Sequence, residues 1–335
     1  MATPRRYAAR RPAPRIVTHR CSVCEHQQRP TNGERWIMVS RPLIAVVAMV
    51  TAMGSLVGCS RGTAAQSQST TPPPGNSWSL AYDAEFHGTA LDPAKLTPCF
   101  DWNNGDCTSS FNNGREHYLP SQVQISDGVA HLVAEPLNPP RHDAACFQDV
   151  CTYKSGLLST ARPSPAQPYL FTFKYGYVEA RMKLPTTRGM FTAFWMVPAN
   201  KDYKYDYEID AVENISGIPN IIYQNYAYAG RQKYYKVNDP ILNTRGKCAD
   251  KNYANDFHNY GMDWEPGYVA FYIDGDECGR FTSTVPGQIA DQPMQIIIDL
   301  MVDTIWQRNI GYTLTDPTAT DHLDVAYLKV WQPKR

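Results

Sequence analysis

The chain has 335 residues, 43% of them hydrophobic, with 32 basic and 32 acidic side chains. The charge is unevenly placed: residues 1–61 hold ten Arg against two Glu, a net +8, which leaves −8 for residues 62–335. An acidic body offers no electrostatic footprint for nucleic acid, and that class of partner is excluded.

Residues 1–58 read as a leader. Met38-Val39-Ser40-Arg41 opens a short positive region, with Met38 as the expected true start, and Leu43 to Val57 is an apolar run. At about 15 residues that run is short for a membrane span and right for a signal-peptide core. It ends in Leu56-Val57-Gly58-Cys59, which resembles the lipobox of bacterial lipoproteins. The resemblance implies cleavage before Cys59, lipid attachment to its sulfur, and an exported protein that faces outward from the membrane or is secreted. Upstream, Cys21 and Cys24 with His19 and His26 imitate half a zinc site; without a second ligand pair they are not counted as one.

Residues 59–77 are rich in Ser, Thr and Pro, have nothing to bury, and form a flexible tether. Residues 78–335 then make one domain. Its six cysteines, Cys99, Cys107, Cys146, Cys151, Cys248 and Cys278, argue for disulfides in an exported chain, and closeness in sequence favours Cys99–Cys107, Cys146–Cys151 and Cys248–Cys278.

Strand patterns dominate this domain. Tyr175, Tyr177, Glu179, Arg181 and Lys183 alternate with Gly176, Val178, Ala180, Met182 and Leu184; Glu179 and Arg181 read as a structural pair. Strands are also predicted over Tyr268–Ile273, Met294–Val302 and Leu323–Trp331, with turns at Asp127-Gly128, Glu265-Pro266-Gly267 and Asp274-Gly275. Short strands without helical crossovers predict an all-β sandwich of two antiparallel sheets.

The chemistry concentrates in Glu208-Ile209-Asp210-Ala211-Val212-Glu213, flanked by Tyr203, Tyr205, Tyr207 and Trp195. Strand alternation puts Glu208 and Asp210 on one face and would send Glu213 to the other. One extra residue, a β-bulge, returns Glu213 to the shared face. Three acids on one face cannot all ionise cheaply, so at least one pKa should rise, as a proton donor at neutral pH requires.

These residues resemble the bulged Glu-x-Asp-x-x-Glu signature of glycoside hydrolase family 16, in its laminarinase-like form. Further pieces agree in order: Tyr82-Asp83-Ala84-Glu85-Phe86, Tyr175 to Arg181, Gly189 with Ala193-Phe194-Trp195, Phe257-His258-Asn259-Tyr260, Asp263-Trp264, and Asp324 to Trp331. The resemblance implies a concanavalin A-like jelly roll that hydrolyses β-linked polysaccharide internally and with retention, with β-1,3-glucan as the default substrate. It implies Glu208 as nucleophile, Glu213 as general acid/base and Asp210 as the group between them, and substrate contacts from Trp195, His258 and Trp306. No cofactor is required; a structural calcium at Glu85 and Asp324 is the one metal expectation. The partners are the polysaccharide and, through Cys59, a membrane, with the protein itself a monomer. Val302-Asp303-Thr304-Ile305 before Trp306 departs from the family's glycine-rich stretch, which keeps transglycosylation and galactan or cell-wall hydrolysis open as enzymatic alternatives. A glycan-binding lipoprotein is the non-enzymatic one. No Gly-x-Ser-x-Gly elbow points to an esterase.

Overall fold

The computed structural model describes residues 72–101, 110–199, 207–228, 231–236, 248 and 251–334. The leader, Cys59, most of the tether, Cys107, Tyr203 and Tyr205 lie outside the described residues. No described helix is long and apolar enough to cross a membrane.

The strands are β1 (Trp78–Glu85), β2 (Glu116–Tyr118), β3 (Val123–Ser126), β4 (Val129–His142), β5 (Val150–Ser155) and β6 (Leu157–Ser159). They continue with β7 (Gly176–Lys183), β8 (Met190–Pro198), β9 (Tyr207–Ile215), β10 (Tyr223–Tyr228) and β11 (Arg231–Lys236). The last are β12 (His258–Glu265), β13 (Tyr268–Ile273), β14 (Asp276–Thr282), β15 (Met294–Val302) and β16 (Asp321–Pro333). The one described α-helix, α1 (Ile305–Ile310), sits between β15 and β16. It starts at Thr304, whose hydroxyl accepts from the Gln307 N–H while the Gln307 side chain caps the Thr304 N–H, and it stops at Gly311 in the left-handed region.

Two sheets form the expected all-β sandwich. One has ten strands, ordered β14-β13-β12-β7-β16-β4-β5-β2, with β1 added on β16 and β3 on β4. The other has six, ordered β11-β10-β9-β8-β15-β6. Alternation decides which side chains meet between them. Val178, Ala180 and Met182 of β7 and Met262 and Trp264 of β12 face Phe194 and Met196 of β8, Ile209 of β9 and Ile296, Ile298 and Leu300 of β15 in one buried core. The Trp264 indole N–H, deep in that core, donates to the Ala290 carbonyl at 3.0 Å. The turns follow their sequence signals: Asp127-Gly128 joins β3 to β4 and Asp274-Gly275 joins β13 to β14, all four residues with positive φ as two-residue hairpin loops require.

Glu179 and Arg181 lie two residues apart on one face of β7, and the Arg181 charge works against the burial that raises the Glu179 pKa. Buried Glu179 accepts from the Tyr177 and Tyr327 hydroxyls, each at 2.7 Å. Arg181 donates to Asn259 Oδ1 and lies over the Phe257 ring. The side chains alternate along β7 as predicted, and two tyrosine hydroxyls join Arg181 in supporting this carboxyl.

Two of the three expected disulfides are present, Cys146–Cys151 and Cys248–Cys278, spanning 5 and 30 residues. Cys99 is also disulfide-bonded, and its expected partner lies outside the described residues. Loop-closure entropy makes the longer span more stabilising. Replacing both Cys248 and Cys278 by Ser should cost about 3–4 kcal/mol, and replacing Cys146 and Cys151 about 2. Equilibrium denaturation of the two double variants would check the ranking, and equal losses would show that loop length does not set it.

Candidate active site

The acidic segment is strand β9, and its neighbours reveal the bulge. Against β8, Glu213 lies opposite Ala193, Val212 opposite Phe194 and Asp210 opposite Trp195, so Ala211 has no partner of its own. Against β10, Glu213 pairs with Tyr223 and Asp210 with Asn225, so two intervening residues on β9 are matched by one on β10. Ile209, Ala211 and Val212 all enter the core between the sheets. Glu208, Asp210 and Glu213 are left together on the opposite face. That face also carries a second apolar cluster, including Ala193 and Trp195 of β8, Ile297 and Met301 of β15, and Ile215 of β9.

Crowding in this half-buried setting pushes the three acids toward their neutral forms. Glu208 is raised by burial. Glu213 is pushed up to about 8, by burial first and then by Glu208. Asp210 is also raised, by burial and by the charges of both glutamates, although the Asn225 amide donates to its Oδ2 at 2.7 Å and pulls the other way. Repulsion and desolvation act in the same sense, so the set holds less than its full charge at neutral pH.

Of the expected substrate contacts, Trp306 reaches the site. It sits edge-on to Tyr223 at 4.8 Å and to Phe191 at 5.5 Å between ring centroids, and Tyr223 is the cross-strand partner of Glu213. Trp195 is next to Asp210 in register but only 7% exposed. Its indole N–H donates to Asp299 Oδ1 at 2.9 Å, and the Phe111 ring lies over it at 5.7 Å. The exposed aromatic here is Phe111, not Trp195. His258 belongs to the other sheet, at the start of β12, with Nδ1 2.8 Å from Asp274 Oδ2. Although burial pulls Asp274 upward, His258, the Asn259 N–H and Lys251 hold its pKa at about 2. Strand order separates this histidine from the carboxylates, and order across a sheet is invisible in a linear motif.

Phe111, Tyr223, Asn225, Asp299 and Glu116 are site neighbours that sequence reasoning missed. Asp299 also accepts from the Tyr118 hydroxyl at 3.0 Å, and burial raises its pKa to about 7. Glu116, likewise raised to about 7 by burial, accepts from the Ser110 hydroxyl and the Val302 N–H. A signal for Asp299 was present in the sequence, since one acid inside the apolar run of β15 demands buried partners.

The expected calcium ligands stand apart. Glu85, opposite Tyr327, is engaged by the Lys329 ammonium at 2.7 Å and by His87 at 3.2 Å, and the same ammonium is 3.4 Å from Asp83. Lysine charge thus fills the place of a cation at Glu85. Asp324, opposite His131, meets His131 and His322. A His-rich set does not match the all-oxygen shell that calcium takes.

Residues 155–319 match the family model for glycosyl hydrolases family 16. The chain carries a laminarinase-like domain of that family. It is similar to glucan endo-1,3-beta-glucosidase A1 of Niallia circulans, 27% identical over 76% of this chain and 38% of that protein. It is also similar to a beta-glucanase of Rhodothermus marinus, 25% identical over 76% of this chain and 85% of that one. The family 16 fold is seen again in the solved laminarinase from Rhodothermus marinus, with a TM-score of 0.60 at 21% identity over 78% of this chain and 99% of that one. The chain thus spans well under half the length of the Niallia relative.

A carboxyl with a raised native pKa favours the folded state below its ordinary pKa, and that contribution is lost as pH rises through the native value. Relative to wild type, Glu213→Gln should therefore gain thermal stability progressively between about pH 4.5 and 8 and show a constant advantage above that. Melting temperatures of the two proteins across this range would test it; a pH-independent difference would mean that Glu213 is not held protonated.

Proposed function

We propose that this protein is an endo-acting β-glycanase that hydrolyses β-1,3-glucan with retention, through Glu208 and Glu213. The observation that carries the reading is the bulge at Ala211, which groups both glutamates on the face of β9 turned away from the core, with Asp210 fixed between them by Asn225. The curated relatives support the choice of substrate.

Each carboxyl takes the role its surroundings favour. Glu213, pushed up to about 8 by burial and then by the Glu208 charge, holds a proton at neutral pH, as an acid must, and Glu208 beside it serves as the nucleophile. In the first displacement a Glu208 oxygen bonds to the anomeric carbon while the glycosidic bond breaks, and the Glu213 proton goes to the departing oxygen. In the second, Glu213 takes a proton from water, the hydroxide oxygen attacks the same carbon from the opposite face, and Glu208 leaves as carboxylate. Two inversions give net retention. Asp210, neutral at the start, limits the charge that builds up beside Glu208. Trp306 and Phe111 provide aromatic surface for sugar faces, with Trp195 supporting Phe111 from beneath.

Glu208→Gln should lose nearly all turnover of laminarin yet still bind it. Glu213→Gln should lose about 10²–10⁴-fold on polysaccharide and retain activity on an aryl glycoside whose leaving group needs no proton. Proton NMR of the first products should show retention; inversion would remove Glu208 as nucleophile. Comparing laminarin with lichenan, agarose, xyloglucan and arabinogalactan tests the substrate.

Export with a lipid at Cys59 belongs to the same reading and rests on the Leu56-Val57-Gly58-Cys59 motif. Palmitate labelling in a bacterial host should be lost in Cys59→Ala, and labelling that persists would remove the anchor.

A further inference from the structure

The solvent-side face of the ten-stranded sheet carries a cluster that the proposed glycanase chemistry does not use. His131 of β4 and Asp324 of β16 are direct cross-strand partners. His322 lies two residues before Asp324 and therefore on the same face. The inward neighbours Ala130, Leu132, Leu323 and Val325 are buried in the core, which fixes the three polar side chains on the outside. His131 Nδ1 is 2.6 Å from Asp324 Oδ1, and His322 Nε2 is 3.4 Å from the same oxygen. One ligand atom from each residue falls within 4.8 Å of the others.

We infer that His131, Asp324 and His322 form a binding site for a divalent transition metal of the zinc class, which clamps β16 to β4. Two imidazoles and one carboxylate are the donor set of zinc and its neighbours rather than of calcium. With metal–ligand bonds of about 2.0–2.1 Å, tetrahedral ligand atoms lie about 3.3 Å apart. The His322–Asp324 spacing already meets this, His131 must move from Asp324 by less than one ångström, and the two imidazole nitrogens, within 4.8 Å of each other, must settle at the same spacing. Three protein ligands leave a fourth position for water.

The hydrogen bonds around the cluster are those of a metal site. His131 Nε2 is 2.9 Å from the Ser126 hydroxyl of β3. With Nδ1 on the metal, the imidazole keeps its proton on Nε2 and donates it to Ser126, so an outer partner sets both tautomer and ring angle. The His322 ring stands edge-on to His131 at 5.6 Å between centroids, so the two rings do not overlap.

Charges around the site act in both directions. Lys183 of β7 is the other cross-strand partner of Asp324 and opposes an incoming cation. Asp321, whose carboxylate accepts from the Thr186 and Thr187 N–H groups, favours one. An imidazole must lose a proton to bind a metal, so binding should weaken in mild acid.

The test is calorimetric titration of the full chain with zinc chloride at pH 7.5, comparing wild type with His131→Ala/His322→Ala. The leader's His19, Cys21, Cys24 and His26 are common to both proteins, so the readout is the difference. Wild type should bind one more equivalent than the double variant, and zinc should raise its melting temperature further. Ser126→Ala should keep the stoichiometry and weaken that equivalent about 10-fold. Cobalt(II) should give visible d–d bands in wild type that the double variant lacks. Equal stoichiometry in wild type and double variant would overturn the site. Displacement of the zinc by millimolar calcium would overturn the metal class. Both readouts are independent of hydrolysis, so failure of the glycanase reading would not affect them.

Discussion

One residue of β9 without a partner, Ala211, sets the register on which the proposed chemistry depends. Because two strand neighbours, Ala211 and Val212, both turn into the core, every residue after them is displaced by one position relative to a regular strand. Glu213 then shares a face with Glu208 and Asp210. The core enforces this: returning the strand to simple alternation would drive Val212 out of the sandwich and Glu213 into it, and a carboxylate there would face apolar side chains from both sheets. Burial of a few small apolar groups thus fixes where three ionisable ones stand.

Acid clustering has a cost that the surroundings limit. Asn225 gives Asp210 a donor, and Tyr118, Trp195, Ser110 and a backbone N–H serve the neighbouring acids Asp299 and Glu116. These neutral donors make the buried oxygens tolerable. A cation beside Glu213 would favour its ionised form and, in the proposed mechanism, take away the proton that the leaving group needs. Neutral donors around the site and paired cations elsewhere, such as Lys329 at Glu85, are consistent parts of one arrangement.

Much of this was legible in the sequence because it is local. Alternation over Tyr175–Leu184 gives β7, the apolar run Met294–Val302 gives β15, and Asp-Gly pairs mark two hairpins. The acid triplet announces both bulge and site within six residues. Relations across strands were not legible. His258 stands in a family-like motif, yet strand order carries it to the other sheet. Trp195 is in register with Asp210 as expected, but nothing local shows that Phe111, 84 positions earlier, covers it. The same holds for Lys329 at Glu85 and for the two histidines at Asp324. Each depends on which strand lies beside β16, and a single sequence does not state that.

The place of β16 has a consequence for how the domain is made. It is the last described strand in chain order, yet it lies between β7 and β4 and is also the strand on which β1 pairs. Until residues near 330 have emerged, β1 has no partner in the sheet and the ten-stranded layer remains two pieces with open edges. A chain emerging from the ribosome therefore cannot close this sandwich piece by piece; it must stay open until nearly all of the domain is available and then close around its last strand. Such delay leaves long unpaired edges that must be kept from meeting one another until the last strand arrives.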